Sequence, residues 1–398
     1  MAKPNLHYAE LKSSYLFYHI EQRTNAYRQA HPGAPLLRLG VGDVTLPLCP
    51  AVIEALHKAV DDQAHGATFH GYMPECGAGF LKDAICSYYA GRGIPLLTDE
   101  VFITTGAADD LGSILDLFSQ DNTALIIEPA YPAYVDTNVM AGHKLIHFPS
   151  SRADEFTPLP DDGTEADLIY ICSPNNPTGA VYDRAGLQAW VDYANRKGAV
   201  IIFDAAYESF IGEEGVPHSI FELDGSRSCA IEICSLSKTA GFTGTRCGYT
   251  IVPKELERSG MNLHSMWVRS RTTKTNGVSY IVQRGAEAVF SPAGQQQIRE
   301  NIAVYKRNAA VLMRALDACG IWYCGGKNAP YLWMKCPGGL GSWDCFDLLL
   351  NQAQIMGTPG EGFGSCGEGY FRLSSFGAAQ EVEEAADRIK KLFGSQGA

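Results

Sequence analysis

Apolar positions along the chain fall into two patterns. Seven short runs, VFITTG (101–106), TALIIEP (123–129), KLIHFP (144–149), DLIYICSP (167–174), AVIIFDAAY (199–207), CAIEICSLS (229–237) and GYTIVP (248–253), are rich in β-branched and other apolar residues at successive positions. Segments of helical period separate them, among them Arg184–Lys197. A strand covered on both faces reads as a near-continuous apolar run, whereas a strand with one wet face alternates. The runs therefore predict an α/β fold, a mostly parallel seven-stranded sheet with helices on both sides. The chemically interesting residues fall at the carboxyl ends of these runs, the edge where open α/β sheets bind ligands.

The two ends of the chain read differently. Residues 1–47 hold one helical stretch and an extended piece, LLRLGVGD, while 292–398 hold a long helix (Gln295–Cys319), short strands in APYLWMKC and GYFRLSS, and a closing helix (Ala378–Phe393). These pieces are expected to pack as a small α+β domain of 1–47 and 292–398 beside a large domain of 48–291, with hinges near Pro47 and Ser291.

At 398 residues and 46% hydrophobic composition the chain can bury cores for both parts. Its net charge of -12 repels nucleic acid and anionic membranes, so any phosphate it binds must be held by a local cluster. There is no apolar run of 18 residues or more, no leader-like segment and no repeat, and a cytoplasmic location is expected. The twelve cysteines are scattered from Cys49 to Cys366 without a CxxC pair, a spacing of reduced, mostly buried thiols rather than of a disulfide framework or a metal site.

Candidate chemistry centres on Lys238, in SLSK (235–238), a lysine preceded along the chain by SPNNPTG and DAAY. A lysine amine can condense with an aldehyde, and the set points to pyridoxal 5'-phosphate as cofactor. Asp204 ends an apolar strand, a costly place for a carboxylate without a cation, and a protonated pyridine nitrogen would supply one; the alternative is a helix cap or loop carboxylate. Tyr207 and Asn176 can donate to the ring's phenolic oxygen. For the phosphate there are the amides near Gly106, Ala107 and Ala108, the hydroxyls of Ser235 and Ser237, and Arg246. Tyr131 follows a strand and can stack on the ring, or be an ordinary core aromatic. Arg372 is a lone arginine in the apolar strand GYFRLSS. It needs an anion, either a substrate carboxylate held by both arms of the guanidinium or an internal acidic residue.

In the order Tyr72, Gly106, Tyr131, Asn176, Asp204, Tyr207, SLSK, Arg246, Arg372, the chain resembles fold-type I pyridoxal-phosphate enzymes of the class I/II aminotransferase group over essentially its whole length. SSYLFYHIEQR, GVGDVTLPL, HGYMPECG, EPAYPAYVD, DAAYESFI, GGKNAPY and TPGEGFGSCGEGYFRLSSFG are similar to segments of the LL-diaminopimelate aminotransferase family. The resemblance implies transfer of an amino group between LL-2,6-diaminopimelate and 2-oxoglutarate, giving tetrahydrodipicolinate and glutamate, a step of lysine biosynthesis. It adds Tyr72 to the cofactor residues and assigns Tyr15 and Gly42 to the substrate. Glu75 and Asn276 are implied to grip the distal end of the substrate bound by a neighbouring subunit, which requires a homodimer. The chain departs from the family at Ala108, where the family has a lysine, and carries Arg271 and Lys274 before Asn276. Arg271 or Lys274 can replace the missing charge, or both can be solvated surface cations. Wider substrate range among dicarboxylic amino acids, a pyridoxal-phosphate lyase and a catalytically inactive binding module stand as alternatives.

Overall fold

In a computed structural model the described residues are 1–11, 16–40 and 42–394. All seven apolar runs become strands of one sheet: β1 (Val101–Thr104), β2 (Thr123–Glu128), β3 (Lys144–Pro149), β4 (Leu168–Cys172), β5 (Val200–Asp204), β6 (Ala230–Ser235) and β7 (Gly248–Ile251). Their spatial order is β1-β7-β6-β5-β4-β2-β3. Every neighbouring pair is parallel except the two that β7 makes, with β1 and with β6.

Alternation along the strands explains the unbroken apolar runs. Ile103, Leu125, Ile169, Ile201 and Phe203 face one buried cluster, into which the helices Gly79–Ala90 and Arg184–Lys197 send Ile85, Leu187 and Trp190. Phe102, Ala124, Ile126, Val200 and Ile202 face the other, covered by Leu111, Tyr134 and Trp267 from the helices Ala107–Ser113, Pro132–Ala141 and Leu263–Lys274. With both faces dry, neither register of side chains can be polar without partners.

A third cluster joins Leu16, Ile20, Leu37 and Leu39 near the start of the chain to Leu312, Leu316, Leu332, Trp333, Leu373 and Ile389 near its end. Its antiparallel sheet runs in the order Tyr323–Gly325, Tyr331–Lys335, Tyr370–Ser374, Thr358–Pro359, and a separate parallel pair ties Leu37–Arg38 to Ile355–Met356. The helix Pro292–Ala318 passes from one core to another: Ile298, Ile302 and Tyr305 belong to the large sheet's cluster, Ala309, Leu312 and Leu316 to the third.

Glu232 is one of the ionisable groups buried inside the large core. Glu232, fully buried on β6, accepts from the Tyr89 hydroxyl at 2.5 Å, the Ser219 hydroxyl at 2.6 Å and the Ile220 amide at 2.9 Å. Burial nonetheless pushes its carboxyl up from 4.5 to about 7. A carboxyl raised on folding takes up a proton in the native state, so its contribution to stability falls as pH rises from about 4.5 to about 7. Relative to the wild type, Glu232→Gln is expected to gain stability across that window, reaching about 3 kcal/mol above it. Denaturant melts of both proteins at a series of pH values measure the difference, and a constant difference would refute the assignment.

Candidate active site

The sequence-selected residues converge where β1, β4, β5 and β6 end. β1 stops at Thr104, and Gly106 opens the helix Ala107–Ser113 with φ +132°. Glycine is required there twice over, by that φ and by space: a Cβ would lie 2.5 Å from Nη2 of Arg246. Gly248, at the start of β7, has the same function from the other side, since a Cβ there would meet Gly106 Cα at 2.9 Å. The turn can therefore close onto the end of β6. There Ser235 Oγ accepts from the Ser237 amide at 3.2 Å, and Arg246 Nη1 donates to Ser237 Oγ at 3.1 Å and to the Thr243 carbonyl at 3.2 Å. Arg246 itself has φ +65°, a left-handed conformation that costs a non-glycine residue about 1 kcal/mol or more, and tertiary packing must hold it. Ala107 is buried and the Ala108 side chain is exposed.

Asp204 closes β5, opposite Cys172 of β4. Its Oδ1 accepts from the Ala206 amide at 2.9 Å and its Oδ2 from the Tyr134 hydroxyl at 2.6 Å. Burial pushes the Asp204 carboxyl up, and these two hydrogen bonds oppose the shift. Among the described residues no cation pairs with it through a salt bridge; it is a buried carboxylate that accepts from a backbone amide of the turn after β5. Tyr131 is the N-cap of the helix Pro132–Ala141, half-buried, its ring perpendicular to that of Tyr134 with centroids 5.7 Å apart.

Arg372 is 1% exposed, at the centre of its strand. Nη1 donates to Asn176 Oδ1 at 2.6 Å, and Nη2 donates to the Gly40 carbonyl at 2.9 Å and Thr358 Oγ1 at 3.3 Å. The guanidinium lies 4.4 Å from the ring centroid of Tyr331, and Nε has no partner. No described carboxylate forms a salt bridge with it, so the internal ion pair weighed from sequence is absent among the described residues. Tyr331 also meets the Tyr207 hydroxyl at 2.9 Å, and a Cβ on Gly42 would lie 2.8 Å from its oxygen.

Lys238 lies in the one-turn helix Leu236–Thr239, half-buried. Burial is the main cause that lowers its amine to about 8; Arg372 and Arg246 lower it further and Asp43 opposes them. Desolvation dominates, and the Arg246 charge adds to it.

Other sequence candidates are placed elsewhere on the chain. Tyr72 is 89% exposed, Asn276 is exposed and Glu75 is half-buried. Their two loops meet at Gly277 (φ +78°), where a Cβ would approach the Pro74 carbonyl to 2.7 Å. Lys274 is an exposed cation paired with Asp116. Arg271 is not a solvated charge: it is buried, its guanidinium 5.4 Å from the Trp267 ring centroid and its Nε without a partner, and its charge acts on buried Asp110 of the helix Ala107–Ser113. Tyr15 lies outside the described residues. No described group of three or more His, Cys, Asp or Glu is arranged to hold a metal ion. Tyr134 and Tyr331 were not singled out from sequence; Tyr134 stands in the same PAY repeat as Tyr131, the one local signal that could have found it.

This geometry, a strand-end lysine of lowered basicity between a buried carboxylate and an anion-sized cluster of amides, hydroxyls and a guanidinium, has a counterpart in known proteins. The class I and II aminotransferase family profile matches residues 34–389, and the chain belongs to that family. It is 49% identical to the LL-diaminopimelate aminotransferase of Lachnospira eligens over 98% of this chain and all of that protein, and 48% identical to that of Lawsonia intracellularis over 98% and 99%. The solved L,L-diaminopimelate aminotransferase from Chlamydomonas reinhardtii superposes with a TM-score of 0.93 at 37% identity, covering 99% of both chains. The fold is therefore fold type I, and the cofactor is pyridoxal 5'-phosphate. The residues present fit it: Asp204 is a buried carboxylate without a salt-bridged cation among the described residues, and the absence of a side chain at Gly106 lets the Arg246 guanidinium lie directly against the turn that opens the helix Ala107–Ser113.

Proposed function

We propose that this aminotransferase interconverts LL-2,6-diaminopimelate and 2-oxoglutarate with tetrahydrodipicolinate and glutamate. Full-length similarity near one half to enzymes so named carries the substrate assignment. When bound, pyridoxal phosphate accepts the substrate amino group and withdraws electrons from the substrate Cα. In our reading Gly106, Ala107, Ala108, Ser235, Ser237 and Arg246 hold its phosphate, Asp204 pairs with its ring nitrogen, Tyr131 stacks on its ring, and Asn176 and Tyr207 face its phenolic oxygen. Arg372 receives the substrate α-carboxylate in both arms of its guanidinium, which its lack of an internal carboxylate supports. Lys238 Nζ removes the Cα proton and later returns it. An amine at about 8 is about one-tenth unprotonated at pH 7, where an ordinary lysine is almost wholly protonated.

The distal end of the substrate is assigned to Glu75 and Asn276 of a second copy, with Tyr15 and Gly42 near the substrate in the same chain. The exposure of Tyr72 and of Phe69, 62% exposed, supports a homodimer in which Tyr72 reaches the partner's cofactor. A Glu facing a distal ammonium discriminates well, because a substrate lacking that charge leaves a desolvated carboxylate unpaired. We assign to Arg271 the positive charge that Ala108 omits, supported by its burial and by the action of its charge on Asp110 of the Ala107–Ser113 helix. The chain ends would form the small domain (1–47 and 292–398) and 48–291 the large one, with the helix Pro292–Ala318 connecting them. No described helix is long and apolar enough to cross a membrane, consistent with the proposed cytoplasmic location.

The test is a coupled assay of purified protein with LL-diaminopimelate and 2-oxoglutarate beside meso-diaminopimelate, aspartate, lysine and alanine. The LL isomer is expected to be preferred by about 10²-fold or more in kcat/KM over substrates lacking the distal ammonium. Use of aspartate with the LL isomer inert would leave an aminotransferase of another substrate, and pyruvate and ammonia released without a keto acid would mark a lyase.

A further inference from the structure

Asp204 has two oxygens and, within the chain, one strong donor for each. The Ala206 amide takes Oδ1 and the Tyr134 hydroxyl takes Oδ2 at 2.6 Å, the shorter of the two contacts. Tyr134 is 2% exposed and rigidly seated: its ring packs on Tyr170 with centroids 5.2 Å apart, and its carbonyl accepts from Asn138 Nδ2 at 2.7 Å. Burial and the neighbouring Asp204 charge hold its phenol far above any working pH, so it is always a donor. The Cys172 thiol also feels the Asp204 charge, and burial keeps it protonated. Tyr131 and Tyr134 are three residues apart on one helix, so a single turn carries both the ring we place against the cofactor and the hydroxyl that grips Asp204.

We propose that Tyr134 is a positioning residue of the reaction: its hydroxyl keeps the Asp204 carboxylate ionised and in one orientation, ready to pair with a protonated ring nitrogen. A buried carboxylate that loses a charge-assisted donor takes up a proton or rotates, and a neutral acid cannot stabilise a pyridinium. The inference rests on the reading that Asp204 faces the cofactor, and the experiment separates the two.

Tyr134→Phe removes one oxygen and keeps the ring in its contacts. The holoenzymes of wild type, Tyr134→Phe, Tyr170→Phe and Asp204→Asn are titrated with pH while the absorbance of the bound cofactor is followed, and the cofactor dissociation constant is measured for each. For Tyr134→Phe the dissociation constant is expected to rise about tenfold or more, the loss of one hydrogen bond to a charged group. Its absorbance midpoint is expected to move to higher pH, because a ring nitrogen without its proton no longer repels a proton on the Lys238 nitrogen. Its kcat should fall while KM for the amino acid changes little, and Tyr170→Phe should match the wild type. Wild-type values in Tyr134→Phe with altered values in Asp204→Asn overturn the role of Tyr134. Equal changes in Tyr134→Phe and Tyr170→Phe also overturn it, since they reflect packing. Wild-type values in Asp204→Asn overturn the reading of Asp204 itself.

Discussion

Replacing Lys238 by alanine is expected to lower the rate of amino-group transfer by about 10⁴-fold or more, the upper range for loss of a positioned general base, with the remaining residues still holding cofactor and substrate. The expectation comes from position and chemistry together. Lys238 is the amine enclosed by the ends of β6 and β7, near Arg246 and Arg372, and burial brings it to about 8. A lowered amine binds fewer protons in the folded protein, so its free-base fraction climbs as pH passes about 8 instead of its ordinary 10.5. Two measurements check this. Single-turnover spectra of Lys238→Ala should show substrate bound with almost no product, and acylation of the cofactor-free wild type should label Lys238 with a midpoint near 8. Labelling with the midpoint of a surface lysine would remove the basis for its role as base.

Arg372→Met is expected to cost roughly 10² to 10³-fold in kcat/KM for amino and keto acids alike, carried mostly by KM, because removing one partner of a buried charge pair costs about 2–5 kcal/mol. The same change should leave the fold standing. Among the described residues the guanidinium is a buried charge with no salt-bridged carboxylate, its Nε lacks a partner, and its other nitrogens donate to Asn176, Gly40 and Thr358. Replacing a buried charge by an apolar side chain of similar length is often neutral for stability. A thermal melt within a few degrees of the wild type beside the kinetic loss fits an arginine kept for its ligand. A collapse of stability with unchanged KM would make it a structural residue.

Local pattern made the sheet legible. β4 and β5 are buried at every position, so LIYIC and VIIFD carry their strand identity in the side chains themselves, and the helix Arg184–Lys197 was bounded by Asp183 and Gly198, a capping carboxylate and a left-handed glycine. Asp204 and Arg372 were legible for a related reason, since a charge in an apolar run has no inexpensive local explanation, while Lys238 was legible from its motif, SLSK after SPNNPTG and DAAY. For Arg271 the sequence left open a replacement charge or a surface cation: Trp267 one turn earlier on the helix Leu263–Lys274 is a local clue, but nothing local reveals that the Arg271 charge acts on buried Asp110.

What the sequence by itself determined is therefore the set of elements and the kinds of chemistry at their ends, since helix caps, strand runs and stranded charges are properties of neighbouring residues. Tertiary structure alone decided the partners. It inserted β7 antiparallel between β1 and β6, brought Arg372 to Asn176 across 196 residues, and set the Tyr134 hydroxyl on Asp204 across 70. Those pairings depend on how two sheet faces and the third core pack at once, and contacts between residues so far apart leave no period or spacing in the chain to be read.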